Sequence, residues 1–170
     1  MKIRRDFVYH LYNVEHDRFL DLLSKCSEDK RMVVPEGFNT SLYWHLGHVL
    51  RVTEFHVFDL AAQPKTLPQK YHELFFYGTK ATEWNAEQLE QLPDWDTMIA
   101  LIKEQREHIY NTLKNRLDES VPEKKVENFG ELILTTAAHL SNHNGVEAAM
   151  LQVLKQKKHA IQKQQSKYYI

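Results

Sequence analysis

His139 and His143 stand four residues apart in a helix-patterned stretch, Leu132–Leu154. Residues at i and i+4 share one face of a helix. Two imidazoles so placed, met by a third from a facing helix, can hold one metal ion and leave a coordination position open. His48, in a second apolar stretch, is the candidate third. Spacing by itself is weak evidence. Ten histidines in 170 residues should give about one pair at i+3 or i+4 by chance, and the chain has His45/His48 and His139/His143. The direction in which the side chains point therefore decides.

At about 100° per residue, Leu132, Thr136, His139, His143, Val146 and Met150 fall on one stripe, with Ser141, Ala148 and Gln152 opposite. Both histidines of the pair should face a core. In the second stretch Trp44, His48, Val52 and Phe55 share a stripe, while Arg51 and Glu54 lie towards the other side. His48 should point inward too, and His45 lies on the flank of the same arc. A single inward histidine usually finds a carbonyl, a side chain or a buried water for each ring nitrogen. Three that converge are hard to satisfy without a shared partner, and a metal ion supplies one.

Other chemistries fit less well. No Glu-x-x-His occurs, which argues against a ferritin-like di-iron bundle. His139-Leu-Ser-Asn-His143 lacks the glutamate of a His-Glu-x-x-His protease, and there is no phosphate loop and no Gly-x-Ser-x-Gly elbow. Cys26 has no activating neighbour in sequence and reads as a packed or surface thiol.

The elements that must position these residues are delimited by Pro35, Pro64, Pro68, Pro93 and Pro122, because proline inside a helix costs about 3 kcal/mol. Four helical windows remain. The first runs from about Ile3 to Cys26, with Ile3, Phe7, His10 and Val14 along one stripe. The second runs from about Ser41 to Ala62, with N-cap oxygens on Asn39, Thr40 and Ser41. The third follows Pro93, capped by Asp94, and reaches about Leu117. The fourth begins near Asn128, which has capping-box spacing to Glu131. Four long helices argue for an all-α four-helix bundle. The connection from about Gln63 to Pro93 far exceeds the usual bundle loop of about 2–8 residues. It allows a crossover that leaves helices two and three parallel. Tyr71, Phe75, Phe76, Tyr77 and Trp84 mark it as ordered chain packed on the bundle; the sharper alternative is that part of it also covers a pocket.

Composition sets the outer limits. The chain is expected to form one domain over residues 1–170, with 42% hydrophobic and 26% charged residues, as in ordinary soluble proteins. A formal net charge of -1 gives no sign of nucleic-acid binding. One cysteine permits no internal disulfide and fits a reducing cytoplasm. The N-terminus is too polar for a signal segment, and no apolar run reaches membrane-spanning length. The tail 155–170 carries five lysines and no acid, the composition of a solvated helix end.

Asn39-Thr-Ser-Leu-Tyr-Trp-His-Leu-Gly-His48-Val-Leu resembles the start of helix two in the DinB/YfiT-like superfamily. His139-Leu-Ser-Asn-His143-Asn-Gly-Val-Glu147 is similar to that family's closing His-x-x-x-His element, and the long crossover with Tyr77-Gly78-Thr79 also matches its pattern. The resemblance covers most of the chain. It implies an up-down-down-up bundle, often a homodimer, and one divalent ion, commonly nickel or zinc, held by three histidines. Carried over by position, these are His48, His139 and His143, with His45 extra. It also implies transfer of a low-molecular-weight thiol to a small electrophile, with metal-dependent hydrolysis as the alternative. Two other readings stand beside these: a non-enzymatic dimeric bundle around a structural metal, and a metal-free bundle whose core histidines are hydrogen-bonded. Glu147, one turn beyond His143, could orient a ligand or accept a proton; the usual fate of such a glutamate is solvent or an interface.

Overall fold

Three side chains set where the long helices begin. Ser41 Oγ accepts the Trp44 N–H at 3.2 Å, Asp94 accepts the Thr97 N–H at 3.0 Å, and Asn128 Oδ1 accepts the Glu131 N–H at 3.0 Å. Each satisfies an N–H that the first turn leaves without an intrahelical partner. Glu131 reaches back one residue further than a regular capping box, to the Glu127 N–H at 2.9 Å.

The computed structural model describes residues 4–60, 62–122 and 126–166. Among them every regular element is helical: α1 Arg5–Ser24, α2 Leu42–Glu54, α3 Gln69–Leu74, α4 Ala86–Glu90, α5 Trp95–Leu113 and α6 Phe129–Ser166. The four windows expected from the prolines are α1, α2, α5 and α6, and the short α3 and α4 lie in the crossover. Of the basic tail, residues 167–170 lie outside the described residues, and the backbone before them continues α6.

Side-chain contacts give the helix directions. His45 meets His143 while His48 and His56 meet His139, so α2 and α6 run antiparallel. Tyr43 reaches the Pro93 carbonyl, Gln105 the Leu50 carbonyl, and Phe58 stacks on His108, so α2 and α5 run parallel. Tyr9 packs on Tyr110 and His16 meets the Ile102 carbonyl, which sets α1 against α5. The order is up-down-down-up, the parallel α2–α5 pair being what the long crossover permits.

α5 buries Trp95, Met98, Ile102, Gln105, Ile109 and Leu113, a regular three-to-four-residue stripe. On α1 the stripe is not the expected one. Val8, Tyr12, His16, Phe19 and Leu23 are buried, whereas Phe7, His10 and Val14 are exposed. α1 carries two apolar stripes, and the one that continues through Phe19 and Leu23 faces the core; Ile3 of the other lies outside the described residues. α2 also departs from expectation. Arg51 and Glu54 are buried because the crossover wraps what would have been its outer face.

The crossover's buried Tyr71, Leu74, Phe75 and Trp84 join the main core. Its docking depends on Gly47: any Cβ there would overlap the Phe75 ring. A glycine inside a helix costs stability, and here the absent side chain is the space the second chain occupies.

Candidate metal centre

α2 and α6 bring His48, His139 and His143 together, with one ligand nitrogen from each all within 4.8 Å of one another. The Nε2 atoms of His139 and His143 are 3.1 Å apart. Two nitrogens each about 2.0–2.1 Å from a common ion stand at about that separation. His48 directs Nδ1 at the Phe75 carbonyl, 2.9 Å away, which leaves its Nε2 as the free nitrogen. Its ring is stacked on Trp44 at 4.4 Å, and the Trp44 Nε1–H donates to Thr79 Oγ1 at 3.0 Å. Carbonyl, indole and crossover thus fix the orientation of one imidazole, the support metal-ligating histidines usually have. His139 is the least constrained, since its Nδ1 is buried with no hydrogen-bond partner among the described residues.

His45, on the flank of the apolar arc of α2, is buried against the site. Its Nδ1 is 2.6 Å from His143 Nδ1, and its Nε2 is 2.9 Å from Thr40 Oγ1. Burial pushes the basicity of all four imidazoles down, to about 4 for His45 and about 3 for His139. His48 and His143 shift the same way, also chiefly by burial. All four are neutral at pH 7, and neutral imidazole is the form that ligates metals. The donor set, its bare nitrogens and its electrostatics fit a divalent cation.

A cavity of about 490 Å³ opens onto all three histidines. Trp44, Val52, His56, Tyr77, Thr79, Lys80 and Asn142 are among the residues that line the rest of it. The covering role expected of the crossover falls to Tyr77–Lys80. Gly78 turns the chain there with φ +89°, a conformation that favours glycine.

Sequence reasoning missed His56. α2 passes at Phe55–Asp59 into one wide π turn, which carries the His56 ring edge-on to His139 at 6.0 Å. Such turns cluster at functional sites, but no residue type signals them. The role of Phe75 was missed as well; the signal was Gly47, an unexplained glycine beside a candidate ligand.

Glu147 is neither solvated nor at the cavity. It is fully buried, and both carboxyl oxygens lack a hydrogen-bond partner among the described residues. Burial raises its pKa well above the ordinary range. Cys26 is buried, and burial raises its pKa too, with Glu147 a smaller contributor. The thiol is a packed side chain rather than a nucleophile, as its sequence context suggested.

The model of the DinB superfamily matches residues 11–146. The chain belongs to that superfamily. The match spans α1 to α6 and includes His48, His139 and His143. No protein of curated function matches the chain.

Proposed function

We propose that His48, His139 and His143 hold one divalent metal ion, nickel or zinc, and that this DinB-superfamily protein is a metal-dependent enzyme transferring a low-molecular-weight thiol to a small electrophile. The observation that carries this reading is the cavity that opens onto all three imidazoles. A structural zinc site is closed by protein ligands, whereas a catalytic one keeps a position for substrate.

When bound, the ion would supply Lewis acidity, lowering the pKa of a coordinated thiol or water. The chain's own groups favour the thiol. Among the described residues no carboxyl group lines the cavity, so hydrolysis lacks the acidic general base that would activate water. The cavity volume of about 490 Å³ lies in the range of small-molecule sites. Trp44, Val52 and Tyr77 give it an apolar wall, and Lys80, Thr79 and Asn142 offer polar contacts to an electrophile.

No helix among the described residues is long and apolar enough to cross a membrane. A reducing cytoplasm, where thiols remain available, fits this chemistry. A homodimer, which the family resemblance implies, would cover the outward stripe of α1 with its exposed Phe7 and Val14.

The test begins with metal analysis of protein purified without a histidine tag, beside a triple variant with His48→Ala, His139→Ala and His143→Ala. About one nickel or zinc ion per chain, lost in the triple variant, is expected for a site of this kind. The loaded protein should then turn over thiol and electrophile pairs. Absence of metal from both proteins, even after incubation with either ion, would end this reading. Turnover of esters alone would move it to hydrolysis.

A further inference from the structure

Four polar groups stand in one line from the surface of the bundle to the cavity: Thr40 Oγ1, the two nitrogens of His45, the two nitrogens of His143, and His139 Nε2. The successive separations are 2.9 Å, 2.6 Å and 3.1 Å. Each is a hydrogen-bond distance, and each gap between nitrogens holds at most one proton.

We infer that His45 is a positioning residue whose hydrogen bond to His143 Nδ1 holds the His143 ring with its Nε2 bare and facing the cavity. The inference rests on the three-histidine metal reading. If Nε2 of a neutral His143 ligates an ion, its one ring proton is on Nδ1. That proton points at His45 Nδ1, which must then be the acceptor. His45 therefore carries its own proton on Nε2, where Thr40 Oγ1 receives it. Every step follows from the one before, and the ring protons of His143 and His45 each meet an acceptor.

The line has a second polarity. With no ion, His143 Nε2–H can donate to His139 Nε2, His45 Nδ1–H to His143 Nδ1, and the Thr40 hydroxyl to His45 Nε2. The proton count on the imidazoles is the same in both states. Where the metal-free line has this polarity, metal entry reverses it without a proton leaving the chain. The burial of His45 and the stacking of its ring edge-on to Trp44 at 5.5 Å keep its side chain in place through either state.

His48 is oriented by a backbone carbonyl, which only accepts. His143 is oriented by a side chain that can accept or donate, and its position can be tested by substitution. Phenylalanine at position 45 keeps the ring and removes the acceptor. Asparagine at the same position places an accepting oxygen where Nδ1 stands.

The deciding experiment measures zinc affinity by competition with a chromophoric chelator for the wild type, H45F and H45N, with circular dichroism to establish folding. H45F should bind zinc about 10–100-fold more weakly, and H45N should recover most of the loss. Long-range proton–nitrogen NMR on zinc-loaded wild type should place protons on His143 Nδ1 and His45 Nε2, a readout that a merely space-filling role would not fix. Equal zinc affinity in wild type and folded H45F would overturn the inference and leave the metal site intact. If H45F does not fold, the NMR arm decides, and a proton on His45 Nδ1 in the loaded protein overturns it. A wild type that takes up no zinc and no nickel overturns the metal reading and this inference together.

Discussion

Glu54 on α2 and Glu147 on α6 are the same residue type, equally buried, on the two helices that form the histidine site. Their surroundings are opposite. Four donors converge on Glu54: the N–H groups of Thr66 and Leu67, the Thr66 hydroxyl at 3.0 Å and the Gln105 side chain at 3.1 Å. Glu147 has none among the described residues. The crossover accounts for the difference. It folds back over the end of α2 and delivers backbone N–H groups to Glu54, while Gln105 ties the cluster to α5. Nothing comparable reaches Glu147. Burial of a carboxyl group is thus an anchor in one place and a burden in the other, decided by what the neighbouring chain presents.

The comparison breaks most visibly at Glu54. Replacing it by leucine leaves the Thr66 and Leu67 N–H groups without their acceptor, while the Gln105 amide keeps only its bond to the Leu50 carbonyl. Glu54→Leu should cost about 2–4 kcal/mol, from two N–H groups left without an acceptor, read as a lowered urea midpoint, with early loss of crossover protection in hydrogen exchange. An unchanged midpoint would mean that the cluster is not an anchor.

Glu147 should respond with the opposite sign. Glu147→Gln should stabilise the protein by about 1–3 kcal/mol at pH 7, because the amide removes the cost of holding a proton on the buried carboxyl group. The raised folded-state pKa sets the pH dependence. Below the ordinary glutamate value of about 4.3 both states hold the proton, and no penalty exists. As pH rises above that value the unfolded chain releases its proton while the folded chain keeps it, so wild-type stability falls relative to the variant. The gap between the two should therefore be near zero at pH 4 and widest at neutral pH. A constant gap would show that Glu147 is not held protonated.

Gly47→Ala sharpens the comparison from the crossover side, because the added methyl displaces the Phe75 ring. A loss of about 1–3 kcal/mol is expected in thermal melts. Metal affinity should weaken with it, since the Phe75 carbonyl orients His48. The smallest effect should come from Thr66→Val, which removes one of the four donors to Glu54 and should cost about 1 kcal/mol. A double-mutant cycle with Glu54→Leu should show that this cost vanishes once the carboxyl group is gone.

Much of the bundle was legible in the chain. The prolines delimited α1, α2, α5 and α6, and Ser41, Asp94 and Asn128 were recognisable caps. Neighbours three and four apart placed His139, His143 and His48 inward. Errors appeared wherever a second segment decided the outcome. Phe7 and Val14 formed as good a stripe as Val8 and Tyr12, and only packing against α5 and α6 chose between them. Arg51 and Glu54 had the position of outer-face residues until the crossover covered them. Glu147 had the composition of a surface residue and no partner in sequence to suggest otherwise.

The sequence determined the approximate helix extents, the caps and the inward face of α6, because these depend on interactions within a turn or two of each residue. The tertiary structure decided that His45 touches His143, that the Phe75 carbonyl aims His48, and that the π turn brings His56 to the cavity. These contacts join residues up to 98 positions apart. Periodicity gives each helix a face but no rotation or register relative to its neighbour. Those are set only when the apolar faces close against one another and buried polar groups find their partners.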